Sequence, residues 1–374
     1  MSAGPLRVLV VGQTPPPFGG QAVMIEALLA GRYDRIHLEH VRLAFSDDMD
    51  SVGRFQWRKV LLLFTTIARI WWARLRSRTP VLYYPPSGPN LVPVLRDLIL
   101  LCATRWMFSR TVFHFHAGGV SGFRGRLPFL LRPLFDLAYG RPALAIRTAA
   151  ENPDDGLAFR ASRSIVVPNG VADMRGTVPE RAPEHEGPIR ILFTGVLIPS
   201  KGVKVLLEAF VLLLNEGRDV ELELMGRWGD EEFRRECERF LHQREATDRV
   251  RFLGVKRDEE KFRHFAACDI FCFPSHFEAE SFGLVLVEAM QFARPVVSTH
   301  WRGIPSVVSD GVNGYLVPVE DPGAVAGRLG VLADSPELRR RMGEEGRRIF
   351  EQRFTLERFQ RNMEDALAGL RNTT

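Results

Sequence analysis

A chain of 374 residues that is 45% hydrophobic and 25% charged can fill the cores of two α/β domains, and this balance excludes a disordered, fibrous or disulfide-stapled protein. Net charge is only +5 but unevenly spread: residues 1–171 hold 21 Lys+Arg against 11 Asp+Glu, and the remainder 29 against 34. Between Ser51 and Arg147 there are 15 basic residues and only Asp97 and Asp136 as acids, a front suited to an anionic membrane surface, a phosphorylated lipid or a nucleic acid.

No nucleic-acid-binding motif accompanies that charge, so membrane or lipid phosphate is the preferred partner. Met1 to Leu6 has no charged stretch ahead of the apolar run Val8 to Val11, which reads as a first strand and not as a secretory signal, and a cytoplasmic location is the default expectation. Of the four cysteines, Cys268 and Cys272 flank one expected strand with no second pair to complete a zinc site, so buried reduced thiols are expected.

In chain order, Arg7 to Gly12 reads as a strand that runs through Gln13-Thr14-Pro15-Pro16-Pro17-Phe18-Gly19-Gly20 into a helix from about Gln21 to Leu29. A strand, a glycine loop and a helix start open a doubly wound domain, and Gly19 and Gly20 would let the backbone approach an acceptor or a diphosphate, or simply form a tight turn. Trp57 to Arg78 is an apolar, arginine-bearing helix, too short and too charged to span a bilayer. Arg58, Arg69 and Arg76 fall nearly on one line, flanked by Thr65 and Trp72, so the helix either lies in a membrane interface or is a core helix with one exposed stripe. Further strands fit Val81 to Tyr84, Val112 to Phe115, Ala143 to Ile146 and Ile165 to Val167.

Residues 172–188, with three prolines, two glycines and six charges, read as a linker. Beyond it the pattern restarts with strand Ile189 to Phe193, loop Thr194 to Gly202, and a helix whose Val203, Leu206, Leu207, Phe210, Val211 and Leu214 share one face. Strands at Val220 to Met225, Val250 to Leu253, Ile270 to Phe273 and Pro295 to Ser298 follow. Asp321-Pro322 and Ser335-Pro336 pair a capping residue with a first-turn proline, and a last helix covers about Leu356 to Leu370. The domains are therefore 1–171, linker 172–188, 189–353 and a closing helix in 354–374, with function expected in a cleft at the carboxyl ends of both sheets.

The chemistry concentrates in Pro274 to Met290, where Glu280 and Glu288 stand eight positions apart across a strand end, a turn and a helix start. Glu288 has Leu284, Val285 and Phe292 as its helical neighbours, so a carboxylate on an apolar surface needs a hydrogen-bonding partner. A polyhydroxylated ligand would supply one; a capped core helix with Glu288 on a nearby arginine is the plainer alternative. With the helix starting near Ser281, the N–H groups of Ser281, Phe282, Gly283 and Leu284 would face the same space as Glu280 and attract phosphate. A ligand with both sugar hydroxyls and phosphate, such as a nucleotide sugar, satisfies both features.

Lys201, in the loop that begins at Gly195, is one of five lysines among 50 basic residues and is placed for a diphosphate, or is a surface lysine at a helix start. The loop is not a Walker loop. His114 and His116 share one face of a strand; they are a metal pair without an evident third ligand, core histidines, or a cleft-facing His116.

Taken together, these residues resemble glycosyltransferase family 4, the retaining enzymes of the GT-B fold. The resemblance is specific from Ile189 to Pro318, including Gly311-Val312-Asn313-Gly314-Tyr315-Leu316-Val317-Pro318, and looser in the first half, through Gly19-Gly20, His116 and Val167-Pro168-Asn169-Gly170-Val171. It implies an α/β protein of two Rossmann-like domains, the first for the acceptor and the second for a nucleoside-diphosphate sugar. It further implies Glu288 on the ribose, Glu280 on the donor sugar, the Phe282 to Leu284 amides on sugar and diphosphate, Lys201 on the departing diphosphate and His116 beside the transferred sugar. No metal or cofactor is implied beyond the donor. The expected activity is transfer to an acceptor hydroxyl in polysaccharide or glycolipid assembly, peripherally at the inner face of the plasma membrane. A nucleotide-sugar epimerase and a nucleotide-sugar-binding protein without turnover are the alternatives. Two positions depart from the family pattern: Val196 stands where many members have arginine, with Arg302 as a candidate replacement, and Ser306 stands where an acid is common.

Overall fold

A computed structural model describes residues 4–43, 57–179 and 187–372. The chain divides into two compact units, residues 1–169 with 356–374, and residues 170–355.

The first unit is a six-stranded parallel sheet built from β1 (Leu6–Gly12), α1 (Gly20–Leu29), β2 (Ile36–Arg42), α2 (Trp57–Ser77), β3 (Val81–Tyr84), α3 (Leu91–Thr104), β4 (Arg110–Phe115), α4 (Arg132–Tyr139), β5 (Leu144–Arg147), α5 (Asp155–Ala158) and β6 (Ser164–Val166). The strand order is β2-β1-β3-β4-β5-β6. Central strands such as Val-Leu-Tyr-Tyr of β3 are wholly buried because helices cover both faces of a parallel sheet. Since β2 to β3, β3 to β4 and β4 to β5 all step the same way, right-handed crossovers place α2, α3 and α4 on one face. α1 lies on the other. Asp97 of α3 is buried at the centre of this unit, where its carboxylate accepts from Tyr84 Oη at 2.6 Å, Tyr139 Oη at 3.3 Å, the Ser87 amide at 2.9 Å and Arg96.

The second unit holds β7 (Ile189–Thr194), α6 (Val203–Asn215), β8 (Val220–Met225), α7 (Glu231–Gln243), β9 (Val250–Gly254), α8 (Asp258–Ala267), β10 (Ile270–Phe273), α9 (Leu284–Gln291), β11 (Val296–Thr299), β12 (Gly314–Val317), α10 (Pro322–Asp334) and α11 (Pro336–Arg353). Its sheet has the order β12-β11-β10-β7-β8-β9. The α6 face is buried as the repeat requires, with Leu213 and not Leu214 in the core. Asp321 and Ser335 cap α10 and α11 with side-chain bonds to the amides of Ala324 and Leu338.

The last helix, α12 (Leu356–Ala368), groups with the first unit, where Gln360 donates to the Ala27 carbonyl and Glu364 accepts from the amides of Asp34 and Arg35.

Three local expectations change. The start of the expected linker is docked on the second unit: Asp173 pairs with Arg347, and the Met174 amide donates to Gln291 at 2.7 Å, so composition alone misread a tethered segment. Residues 180–186 of that linker lie outside the described residues. α9 begins at Leu284 and not near Ser281, because Gly283 takes a left-handed conformation (φ 77°) as its N-cap. β2 and β12, the end strands on one side of each sheet, had no clear strand signal; Ile-His-Leu-Glu-His-Val-Arg of β2 mixes polar residues into a half-exposed edge. Among the described residues no helix is long and apolar enough to cross a membrane.

Candidate active site

The second sheet reverses its winding direction between β7 and β10: the chain leaves β7 toward β8 and leaves β10 toward β11. Loops that diverge at the carboxyl ends of two such neighbouring strands open a crevice, the usual ligand position in this kind of sheet. The loop after β7 carries Gly195 to Lys201, and the loop after β10 carries Pro274 to Gly283.

Glycines hold these loops together. Gly202 has φ 77°, and a Cβ there would collide with the Pro274 carbonyl; Gly226, at φ 152°, leaves room for the Gly195 carbonyl. The His276 amide donates to Ser200 O at 2.9 Å, and the Ser275 carbonyl accepts from Thr299 Oγ1. Only residues without a side chain let two backbones come this near.

The consequence is an ion pair between Lys201 Nζ and Glu280 Oε2 at 2.5 Å, with both side chains largely buried. Ser275 Oγ donates to the same carboxylate oxygen at 3.2 Å. The Lys201 ammonium lies 4.5 Å from the ring centroid of Phe277 and 5.3 Å from that of Phe273, so aromatic faces add to its positioning. Lysine and acid, expected to serve different parts of a ligand, are here each other's partner.

Glu288, on α9, meets Lys261 of α8 at 2.5 Å and not an arginine. Its other oxygen, Oε2, is buried with no hydrogen-bond partner among the described residues. A buried carboxylate oxygen without a donor is an open acceptor that a hydroxyl or a water can fill. Lys261 and Ser275 were not singled out from the sequence. Lysine scarcity was the available signal: Lys201, Lys204, Lys256 and Lys261 are each paired with a glutamate.

Of the remaining expected residues in this unit, Ser281 and Phe282 are buried, and the Phe282 ring packs edge-on against Phe354 at 5.6 Å. Any ligand contact of Phe282 is therefore through its backbone. The Leu284 and Val285 amides open α9 without intrahelical acceptors, whereas the Leu286 amide already donates to the Gly283 carbonyl at 2.9 Å. Arg302 stacks on Trp301 at 5.5 Å, and the Trp301 indole donates to the Phe277 carbonyl at 2.9 Å, which ties Arg302 to the loop that carries Glu280. Ser306 lies in a short turn, Ile304–Ser306.

In the first unit the winding reverses between β1 and β3; Gly19 ends the loop at that reversal as the N-cap of α1, and Gly20 is the first residue of the helix. Gly19 has an extended backbone and nothing within 4 Å of a Cβ built on it, so open space and not strain distinguishes the position. His116 follows β4 directly. Its ring lies 4.0 Å from that of His114, whose Nδ1 bonds Tyr83 Oη at 2.6 Å. Burial pushes His116 down to about 3 and His114 well below the ordinary 6.5, so both are neutral near pH 7. The following loop is fixed by buried Asp155, which accepts from the amides of Gly119, Val120 and Ser121.

Among the described residues no cluster of three or more His, Cys, Asp or Glu is placed for a metal. All four cysteines are free thiols; Cys268 and Cys272 are buried, and burial pushes Cys268 up to about 12.

Residues 175–349 match the family described as Glycosyl transferases group 1. A phosphatidyl-myo-inositol mannosyltransferase of Mycolicibacterium smegmatis is 35% identical over 214 residues, 55% of this chain and 51% of its own. An O-antigen chain mannosyltransferase C of Escherichia coli is 33% identical over 183 residues, 49% of this chain and 46% of its own. The chain thus spans about half the length of the curated relatives it matches. HepE of Anabaena, solved with UDP, aligns over 97% of this chain and all of its own with a TM-score of 0.73 at 20% identity. Sucrose-phosphate synthase of Thermosynechococcus elongatus aligns over 98% of this chain and all of its own, with a TM-score of 0.71 at 17% identity. The fold is GT-B, and residues 175–349 are related in sequence to the group 1 glycosyl transferases.

Proposed function

We propose that this protein is a retaining glycosyltransferase that moves a sugar from a nucleoside diphosphate onto an acceptor hydroxyl in glycolipid or polysaccharide assembly. The observation that carries the reading is the pair of lysine-bound carboxylates, Lys201–Glu280 and Lys261–Glu288, on the loop after β10 and the helix it feeds, within the segment related to group 1 glycosyl transferases.

The chemistry follows from charge. A departing diphosphate gains negative charge as the glycosidic bond breaks, and an ammonium already held in place stabilises it without reorganisation. Lys201 supplies that ammonium. When the donor enters, its phosphate takes over part of the role of Glu280, whose carboxylate then accepts from sugar hydroxyls. The free Oε2 of Glu288 accepts from the ribose, and the amides of Phe282, Gly283 and Leu284 meet the sugar and diphosphate. Same-face displacement, in which the leaving phosphate takes the acceptor proton, keeps the anomeric configuration. His116 lies beside the transferred sugar, and Gly19 and Gly20 admit the acceptor or diphosphate. Positive charge at the diphosphate comes from Lys201 in this reading and no metal is needed, so a chelator leaves turnover unchanged.

The names of the mannosyltransferase relatives favour an acceptor carried on a lipid or a growing glycan. We place the protein peripherally at the cytoplasmic face of the membrane.

A thermal-shift screen of nucleotide sugars is the first test, since a ligand at a hundred times its dissociation constant adds about 2.7 kcal/mol of stability. The stabilising donor is then incubated with acceptors, and the product anomer is assigned by NMR. A product with the donor's configuration supports the reading; inversion ends the retaining part. Donor conversion without acceptor would make the protein an epimerase, and binding without either would make it a nucleotide-sugar-binding protein.

A further inference from the structure

The face of the first unit formed by α2, α3 and α4 is apolar on its outer side as well as its inner side. On α2, Leu63, Thr66, Ile67 and Ile70 are buried, while Leu61, Phe64, Trp72 and Leu75 form a second stripe that faces outward. Leu75 is 70% exposed, Trp106, just beyond α3, is 73% exposed, and Leu137 of α4 is 66% exposed.

These residues belong to one continuous surface. The indoles of Trp71 and Trp106 both donate to the Ala103 carbonyl at 2.9 Å, which joins α2 to the end of α3. Arg105 then donates to the carbonyls of Leu137 and Ala138, which joins that end to α4. Because both indole N–H groups are already bonded inside the protein, these rings can enter an apolar medium without orphaning a donor.

The charge around this surface has one sign. Its two acids are neutralised: Asp97 is buried on Arg96, and Asp136 is held by Arg124 through two bonds of 2.6 and 2.7 Å. Arg76 lies over the Trp72 ring at 5.0 Å, beside the apolar stripe. Arg58, expected in line with Arg69 and Arg76, has its side chain outside the described residues. At the end of α4 a cavity of about 690 Å³ is lined by Arg124, Asp136, Leu137, Arg141, Phe159 and Arg160, among others. No ion pair or side-chain hydrogen bond holds the guanidiniums of Arg141 or Arg160 among the described residues. Three arginines thus face one acid there: Asp136 is bonded by Arg124 and also feels the charge of Arg160, which leaves the cavity, with the exposed Leu137 in its lining, a net excess of positive charge.

We propose that this face seats on a bilayer, with its aromatic and leucine side chains among the acyl chains and the cavity of Arg141 and Arg160 holding the phosphate of an anionic lipid. Apolar side chains beside a cluster in which arginines outnumber acids match an interface of acyl chains under anionic headgroups. This inference rests on and deepens the peripheral placement proposed above; its test requires no donor and no acceptor, so its failure leaves the transferase chemistry standing.

The test is sedimentation of the full chain with vesicles of phosphatidylglycerol and phosphatidylcholine, and with phosphatidylcholine alone. The expected result is binding to the anionic vesicles that weakens in high salt. The double variant Arg141→Gln/Arg160→Gln should lose roughly fivefold in partitioning per arginine. The variant Arg235→Gln/Arg239→Gln, which removes the same charge from α7 in the other unit, should bind as the parent does. Leu75→Gln/Leu137→Gln should lower partitioning at least about tenfold. Tryptophan fluorescence should be quenched by brominated acyl chains, and less so in Trp72→Phe/Trp106→Phe. Absence of binding to anionic vesicles overturns the proposal. Equal loss from the α7 control overturns the headgroup cavity. A parent that is dimeric in solution and monomeric in Leu75→Gln/Leu137→Gln would assign the face to a second copy and overturn the membrane seat. Were the leucine variants to unfold, the exposed arginine pair would still decide the outcome.

Discussion

Lys201 and Glu280 are 79 positions apart in sequence and 2.5 Å apart in space, the ammonium of one loop closed on the carboxylate of its neighbour. Lys201→Ala is expected to lower turnover by roughly a hundred- to a thousandfold, the cost typical of losing one preorganised charge at a developing anion. Glu280→Gln combined with Lys201→Ala should cost less than the product of the two single losses, since partners that touch do not contribute independently. Steady-state kinetics of the four proteins decides this, and a fall below about threefold for Lys201→Ala removes it from the role.

Glu288 should act on donor affinity and not on chemistry. Its unbonded Oε2 is an acceptor, and Glu288→Gln removes the charge in a similar shape. Nucleotide affinity is expected to fall by about 1–3 kcal/mol, with kcat at saturating donor nearly unchanged. Calorimetric titration with the nucleoside diphosphate alone reads the first quantity, and an unchanged dissociation constant would remove Glu288 from the ribose.

Gly202 and Gly217 share a left-handed backbone, at φ 77° and 76°, but only Gly202 faces a neighbouring carbonyl. Gly217→Ala should cost about 1–2 kcal/mol, the strain of a side chain in that conformation. Gly202→Ala adds the collision with Pro274 O and should cost at least about 3 kcal/mol, with loss of activity as Lys201 moves away from Glu280. Urea unfolding of both variants measures the difference; equal costs would show that the two loops are not held by their close approach.

Acid should weaken the first unit through its paired histidines. His116 is pushed down to about 3 and His114 well below 6.5, whereas both return to about 6.5 in the unfolded chain. The unfolded state therefore takes up protons that the folded state refuses, so stability is whole above pH 6.5 and declines as pH falls toward 3. The slope is about 1.4 kcal/mol per pH unit for each ring that titrates only when unfolded. Urea unfolding at pH 7 and at pH 5.5 should show a smaller decline for His116→Gln than for the parent.

Asp97 should be the costliest single acid to remove. Asp97→Ala leaves Arg96, Tyr84 and Tyr139 facing a void, and about 3–5 kcal/mol of stability is expected to go with it, read as a lowered denaturation midpoint.

Periodicity made both sheets legible, because strands covered on two faces are continuous apolar runs and a helix such as α6 repeats its buried face regularly. β2 escaped because polar residues interrupt its run, Ile-His-Leu-Glu-His-Val-Arg, and β12 because its four residues begin on a glycine beside a turn. The acids of the site were legible from their spacing, but their partners were not. Lys261 lies 27 positions before Glu288 and Lys201 lies 79 before Glu280, and only the order of strands brings them together. The start of α9 was misplaced for a local reason: one left-handed glycine delays a helix that composition would allow to begin earlier. Proline and charge made residues 172–188 look free, whereas Arg347 and Gln291, far along the chain, tie down their first part.

Four of the five lysines, Lys201, Lys204, Lys256 and Lys261, each bond a glutamate, in a chain that otherwise uses arginine for its positive charge. An acylating reagent specific for primary amines would consequently meet very few targets, of which Lys201 and Lys261 are the two on the carboxylates of the crevice. Mass spectrometry of such labelling, with and without nucleotide, would read whether the nucleotide covers either lysine from the protein's own composition, with no engineered probe.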